Sequence, residues 1–221
     1  MNLIAIETST SHCSAALITE TEEIEVKVSS AKSQAGLLTQ MSDDILSEAG
    51  LSKSEIDCVA FGSGPGSFNG VRAAASFAHA VSVANKIPVM AISTLKALAF
   101  GNITSKTKNI LSIIDARQNE VYFAAYSTEG NNICSVLQRE HNLAKPEEIF
   151  VPKDGDWELA VCNWDIFKQK LPARVRNMAR SMVTAPTALS VGKLARIDHN
   201  SNMPRTLNNA MPLYLRHPVK N

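Results

Sequence analysis

The sequence is poor in the residues from which disulfide, metal and membrane sites are usually built. Its four cysteines are widely spaced and never form Cys-x-x-Cys, which favours small buried side chains in a reducing compartment. Its five histidines never fall three to five residues apart, so no helical pair of metal ligands is available. No apolar run approaches the roughly 18 residues of a membrane span, and the first residues lack the pattern of a signal peptide. We therefore expect a cytoplasmic chain with no metal site and no membrane contact.

Charge is nearly balanced overall but unevenly spread. The formal net charge is +1, yet residues 1–167 carry 12 Lys and Arg against 20 Asp and Glu, whereas residues 168–221 carry 10 against 1. Such a basic segment indicates contact with nucleic acid or with an acidic protein surface, or else two lobes with different solvated faces. The candidate contact residues are Arg174, Arg176, Arg180, Lys193 and Arg196.

The first hundred residues have the pattern of a compact α/β unit. The apolar runs Leu3–Ile6 and Cys13–Ile18 flank a polar turn and predict a hairpin, and residues 24–28 alternate as an edge strand does. An amphipathic helix ending at Gly50 follows, and then two more strand–helix pairs. The resulting order β-β-β-α-β-α-β-α opens with a hairpin. It therefore resembles a lobe of the actin/hexokinase/Hsp70 superfamily rather than a Rossmann unit.

The chain is predicted to form two lobes, over residues 1–100 and 101–205, the second being degenerate. Residues from about 206 to 221 are candidates for returning to the first lobe. A helix from Pro186 to about Ile197 is assigned to the second lobe.

A polar turn in the second lobe invites two interpretations. Residues 115–119 connect two predicted strands, and Asp115 with Arg117 suggests either a catalytic pair or an aspartate that caps the turn beside an arginine.

The segment Gly62-Ser-Gly-Pro-Gly-Ser-Phe-Asn-Gly70 lies between a predicted strand and a predicted helix. It is not a phosphate-binding Walker loop, because no Gly-Lys-Ser/Thr follows, and it lacks Gly-x-Ser-x-Gly and Gly-x-Gly-x-x-Gly. Its glycines allow a tight turn that aims free N–H groups at an anion, or a purely structural turn. Glu7, at the end of the first strand, likewise suggests either a phosphate and metal neighbour or a carboxylate bonded to the following turn. The weak candidates for cofactor binding are Glu7, Thr8, Thr10, Gly64, Gly66 and Ser67.

This loop, GSGPGSFNGVR, resembles the GxGPGSFTGVR signature of the TsaB (YeaZ) family. Three further segments resemble the family in the right order: the opening IAIETST, DARQNEVY, and the C-terminal PLYLR. Together they cover about thirty residues spread over the chain.

The resemblance implies a non-catalytic subunit that binds and activates the TsaD-like enzyme, which transfers a threonylcarbamoyl group to the tRNA adenosine next to the anticodon. It also implies a TsaE-like ATPase in the larger complex, tRNA contact only through the complex, a homodimer when alone, and the two-lobed fold above. No catalytic residue is then expected in this chain.

The sequence departs from the family pattern at two places. Ser33-Gln34-Ala35 stands where the family often has a His-Ser-Glu-like triplet, and Cys162-Asn163-Trp164 replaces a Gly-x-Gly turn. A tryptophan there would crowd a nucleotide, so we expect no cofactor. The alternative functions are an ATP-dependent transferase or kinase of the same fold and a metallopeptidase-like protein.

The helix after the glycine loop is apolar around most of its circumference. Its polar residues form one narrow stripe, whereas a surface helix usually has an apolar stripe a little over 100° wide. Either this chain covers both apolar sides, or a partner covers one of them. We expect a partner interface made with the preceding helix. Its predicted residues are Leu38, Met41, Ile45, Val71, Ala74, Ala75, Ala78 and Val81.

Overall fold

The computed structural model describes residues 1–29, 34–129, 132–152, 155–180, 185–200 and 210–215. They form two compact units: one holds the described residues of 1–97 and 186–213, and the other holds those of 98–185 and 214–221. Within the described residues, no helix is long and apolar enough to cross a membrane.

The first unit is built on a five-stranded sheet. Its strands are β1 (Leu3–Glu7), β2 (His12–Ile18), β3 (Glu23–Ser29), β4 (Cys58–Gly62) and β5 (Val89–Ile92), in the order β3-β2-β1-β4-β5. The first three form an antiparallel meander, and β4 and β5 run parallel to β1. The predicted hairpin opening is confirmed.

Helices cover both faces of this sheet. On one face lie α1 (Gln34–Glu48) and α2 (Phe68–Asn85), and they pack on a core that includes Ile6, Phe61 and Val59. A short helix, α3 (Thr94–Phe100), follows β5. The predicted alternation of strand and helix is thus observed.

The opposite face of the sheet is covered by α6 (Ala188–Asn200), and here the domain prediction was wrong. A side chain at Gly192 would place its Cβ 2.5 Å from Ile18 and 3.2 Å from Ala5, so the helix lies directly on β1 and β2. The buried residues of α6 are Ala188, Ser190, Val191, Gly192, Leu194 and Ala195. The helix belongs to the first unit because that sheet has two apolar faces, and α1 and α2 cover only one of them.

Polar contacts fix α6 at its place. The backbone N–H of Ala188 donates to Ser14 Oγ at 2.8 Å, and that of Leu189 donates to Glu25 at 2.9 Å. Lys193 pairs with Glu23 at 2.8 Å. The segment Ala210–Leu213 also belongs to the first unit; residues 206–209 and 216–221 lie outside the described residues.

The second unit has a six-stranded sheet with short helices. Its strands are β6 (Asn109–Arg117), β7 (Glu120–Glu129), β8 (Asn132–Ser135), β9 (Asn142–Ala144), β10 (Trp157–Val161) and β11 (Ala179–Arg180). Five follow the order β11-β10-β6-β7-β8, and β9 pairs with β7. One face buries Leu111, Phe123 and Leu159 against α4 (Trp164–Phe167) and α5 (Ala173–Arg176).

Candidate functional site

The glycine loop packs against the turn between β1 and β2. A Cβ at Gly62 would lie 1.8 Å from a Glu7 carboxylate oxygen, and one at Gly70 would lie 1.9 Å from the carbonyl oxygen of Thr8. Real Cβ atoms do not approach other atoms so closely, so these positions exclude any side chain. Gly62 thus leaves room for the Glu7 carboxylate, and Gly70 allows two segments of backbone to approach each other.

Four N–H groups of this loop donate hydrogen bonds within the unit. Ser67 N–H donates to the Ser9 carbonyl at 2.7 Å, and Gly64 N–H donates to Thr94 Oγ at 3.1 Å. Ser63 N–H donates to the Ile92 carbonyl at 2.8 Å. Ser67 also caps α2 by accepting from Gly70 N–H. Of the two interpretations of the loop, the contacts therefore favour the structural turn.

Glu7 is fully buried at the end of β1. One carboxyl oxygen accepts hydrogen bonds from the Ser9 N–H at 2.6 Å and from the Ser9 hydroxyl at 2.5 Å, and the other lies 3.4 Å from Thr94 Oγ. Burial raises the pKa of the Glu7 carboxyl above its ordinary value, and the bonds from Ser9 and Thr94 oppose this rise. The Glu7 carboxyl thus connects the turn after β1, through Ser9, to the start of α3, through Thr94.

The remaining cofactor candidates are also engaged in the fold. Thr8 is buried and donates its hydroxyl to the Gly70 carbonyl at 2.7 Å, while Thr10 Oγ accepts from the His12 N–H at 3.3 Å. The structure therefore brings Glu7 and Thr8 together with the glycine loop, but in contacts that hold two turns together.

The predicted partner interface requires a correction. Seven of its eight residues are buried within this chain, and only Val81 is half-buried. Six of the seven belong to the core cluster on the sheet of the first unit, and Val71 lies beside Gly64 of the glycine loop. The seven are Leu38, Met41, Ile45, Val71, Ala74, Ala75 and Ala78. They are core residues because the inner apolar side of α2 packs on β1 and β4 and meets α1.

The outer side of α2 has apolar residues of its own that the sequence analysis missed. Phe68 is 54% exposed and Val83 is 63% exposed; Ala80 and Ala84 are exposed, and Phe77 is half-buried. The guanidinium of Arg72 stacks 3.7 Å above the centre of the Phe68 ring. We call Phe68, Asn69, Ala73, Ser76, Phe77, Ala80, Val83 and Ala84, together with Arg72, the outer α2 face.

The five basic candidates do not belong to one unit. Arg174 and Arg176 lie on α5 and Arg180 lies in β11 of the second unit, whereas Lys193 and Arg196 lie on α6 of the first. Arg174 donates to the Pro152 carbonyl at 2.7 Å, and Arg196 donates to the Thr19 carbonyl.

Comparison with known proteins places this site in a family. Residues 28–205 match the family model of TsaD, the tRNA N6-adenosine threonylcarbamoyltransferase. The tRNA threonylcarbamoyladenosine biosynthesis protein TsaB of Haemophilus influenzae is 30% identical over 99% of this chain and 95% of its own length. TsaB of Escherichia coli is also 30% identical, over 99% of this chain and 96% of its own length. The chain belongs to the TsaB family.

A solved structure agrees with this assignment. YeaZ from Pseudomonas aeruginosa superposes with a TM-score of 0.88 at 31% identity, covering 97% of this chain and 99% of that one. The α/β fold class predicted from the sequence is confirmed, and so is the assignment to threonylcarbamoyladenosine biosynthesis.

The hairpin that carries the TsaB-like segment DARQNEVY is a capped turn. Asp115 accepts from the Arg117 N–H at 2.9 Å, and its other oxygen lies 3.3 Å from the Arg117 guanidinium. Arg117, Gln118 and Asn119 all have positive φ angles, of 61°, 53° and 62°. The turn-capping interpretation is thus confirmed. A cavity of about 180 Å³ beside the turn is lined in part by Pro146, Ile166 and Phe167.

The departure from the TsaB pattern at residues 162–164 forms another tight turn. Asn163 takes the left-handed conformation at φ 60°, which asparagine tolerates better than most side chains do. Trp164 is half-buried and packs against the core of the second unit. Within the described ranges, no three His, Cys, Asp or Glu side chains come together as metal ligands.

Proposed function

We propose that this chain is a non-catalytic subunit that binds and activates a TsaD-like enzyme during threonylcarbamoyladenosine modification of tRNA. The observation that carries the proposal is the outer α2 face. The opposite side of the same helix already packs on its own sheet, yet the outer side still has an exposed phenylalanine and an exposed valine.

The physical argument starts from what a surface helix normally exposes. A helix that packs on one sheet is expected to be polar on its solvent side. Here the outer face has Asn69, Arg72 and Ser76 but is otherwise formed by Ala, Val and Phe side chains. Contiguous exposed apolar residues with few charges are typical of protein–protein interfaces. The many alanines would let a helix of another chain approach closely.

The wider set of partners is proposed from the membership of the TsaB family. The TsaD-like catalytic subunit is the main partner, a TsaE-like ATPase joins the larger complex, and tRNA is bound only through that complex. In the absence of these partners, the outer α2 face would join two copies of this chain as a homodimer. The complex would work in the cytoplasm, where tRNA is modified.

The second candidate is an ATP-dependent transferase of the same fold, which would need a nucleotide site. The contacts of Glu7, Thr8 and the glycine loop favour the accessory subunit, because the groups that could hold a phosphate are engaged in joining two turns. We therefore propose that the chain acts without a nucleotide cofactor.

One calorimetric experiment with two arms tests both proposals. In the first, the purified chain is titrated with the TsaD-like subunit of the same organism, and we expect a dissociation constant of about 1 μM or tighter. In the second, it is titrated with ATP, and we expect binding no tighter than about 1 mM. Absence of binding to the TsaD-like subunit would contradict the accessory role. A micromolar ATP site would favour the transferase.

A further inference from the structure

The C-terminal segment Ala210–Leu213 lies across the first unit beside α2. Ala210 is 2% exposed and belongs to the same core cluster as Ala74, Ala75 and Ala78 of that helix. The N–H of Leu213 donates to the carbonyl oxygen of Ser63, in the glycine loop, at 2.7 Å. The segment is therefore bonded at one end to the loop from which α2 begins. We call Ala210–Leu213 the C-terminal latch.

His79 joins the other end of the latch to the middle of α2. Its Nε2 lies 2.7 Å from the carbonyl oxygen of Ala210. Because a carbonyl oxygen can only accept, Nε2 must be the protonated nitrogen that donates. The imidazole ring also packs edge-on against Phe61 of β4, with ring centres 5.9 Å apart. His79 is thus supported by the sheet at its ring and holds the latch at its tip.

The glycine loop is shaped to accommodate the latch. Gly64 has φ +100°, a conformation that L side chains rarely adopt, and a Cβ there would lie 3.0 Å from the Leu213 carbonyl oxygen. The Ser63 side chain is engaged elsewhere, donating to the Ile92 carbonyl at 3.1 Å. The loop therefore contacts β5 on one side and the latch on the other.

From these contacts we propose that the C-terminal latch fixes the position of α2 and of the loop before it, and that His79 is the positioning residue of the latch. The expected consequence rests on the proposed function. The outer α2 face should bind the TsaD-like subunit tightly only when the latch is closed. Ala210 covers one flank of the helix, so opening the latch would uncover core side chains and release one support of the first turn of α2.

Two His79 variants separate the hydrogen bond from the ring packing. His79→Gln keeps an N–H donor at about the position of Nε2 but removes the ring, whereas His79→Phe keeps the ring and removes the donor. Amide hydrogen exchange of Leu213 reports whether the latch is closed. We expect exchange near the wild-type rate in His79→Gln. In His79→Phe it should be about fivefold faster, as for the loss of one hydrogen bond worth about 1 kcal/mol.

Two Ala210 variants test the consequence for partner binding. Ala210→Asp places a charge in the core and should expel the latch, while Ala210→Ser is the matched control with a small side chain. We expect Ala210→Asp to accelerate exchange at the first turn of α2 and to weaken binding of the TsaD-like subunit at least tenfold. Ala210→Ser should leave partner binding near wild type. Circular dichroism shows whether each variant is folded. If Ala210→Asp is unfolded, partner binding is measured with His79→Phe instead.

The possible results distinguish this inference from the proposed function. Wild-type partner affinity in a folded variant whose Leu213 amide exchanges freely would overturn the role of the latch. Failure of the unaltered chain to bind the TsaD-like subunit would contradict the proposed function instead. The claim that the latch positions α2 would then be tested by amide hydrogen exchange alone. Unchanged amide exchange in α2 after the latch opens would overturn that claim.

Discussion

Glu7 illustrates how a residue that suggests chemistry can serve the fold. Its position at the end of the first strand was recognisable from the sequence, and so was the alternative that it bonds to the following turn. The sequence could not indicate that Gly62 would leave room for its carboxyl or that Thr94, far along the chain, would approach it. Contacts between distant residues of this kind depend on sheet topology, which local patterns do not contain.

The buried carboxyl gives a prediction about pH. Because the pKa of Glu7 is raised in the folded state, its favourable contribution to stability is present below the unfolded pKa, about 4.3. It is then lost as the pH rises through the folded pKa. Glu7→Gln resembles the protonated form and does not titrate. Relative to this variant, the free energy of unfolding of the wild type should fall as the pH rises above about 4.3.

Denaturant unfolding of both proteins between acid and neutral pH measures this difference. The neighbouring Cys13 does not titrate between acid and neutral pH, because burial raises the pKa of its thiol to about 11. Parallel pH profiles for the two proteins, or a wild type that gains stability over Glu7→Gln as the pH rises, would show that Glu7 is not held as described.

Among the elements, α2 shows what periodicity can and cannot predict. The sequence showed a helix apolar around most of its circumference, and the structure agrees. It could not show which apolar side meets the chain's own sheet, because both sides are rich in alanine and each also has valine. The predicted interface residues are therefore core residues, and the outer face was identified only when the helix was seen on its sheet. The helix α6 was assigned to the wrong lobe for a similar reason: the return of the chain to the first sheet has no local signature.

Two charge substitutions on opposite sides of α2 test this arrangement. Ala78→Glu places an uncompensated charge in the core and should cost several kcal/mol of stability, enough to unfold the unit. Val83→Glu changes an exposed side chain and should alter the free energy of unfolding by no more than about 0.5 kcal/mol. It should nevertheless weaken binding of the TsaD-like subunit by about 2 kcal/mol, roughly 30-fold.

Val136→Glu is the matched control, since Val136 is a partly exposed apolar residue of the second unit. It should leave both stability and partner binding unchanged. Circular dichroism and calorimetry together measure these effects. A folded Ala78→Glu variant, or full partner affinity in Val83→Glu, would mean that the two sides of the helix have been assigned wrongly.

For the molecule as a whole, the sequence predicted most of the fold and the family but little of the site. The strand–helix order of the first unit and the hairpin of the second follow from short-range patterns, and the family follows from the glycine loop and three other segments. The location of α6, the C-terminal latch and the outer α2 face depend on how distant segments meet. The chain that results has two units, each with its own sheet and core.

The central claim is that this chain contributes binding rather than chemistry, and reconstituted modification of tRNA tests it most directly. Formation of threonylcarbamoyladenosine would be measured with a TsaE-like ATPase and a threonylcarbamoyl donor present throughout. The reactions contain this chain alone, the TsaD-like subunit alone, or both together. We expect no product from this chain alone, little from the TsaD-like subunit alone, and strong product formation from the pair. Product formed by this chain alone, or a TsaD-like subunit equally active without it, would contradict the account.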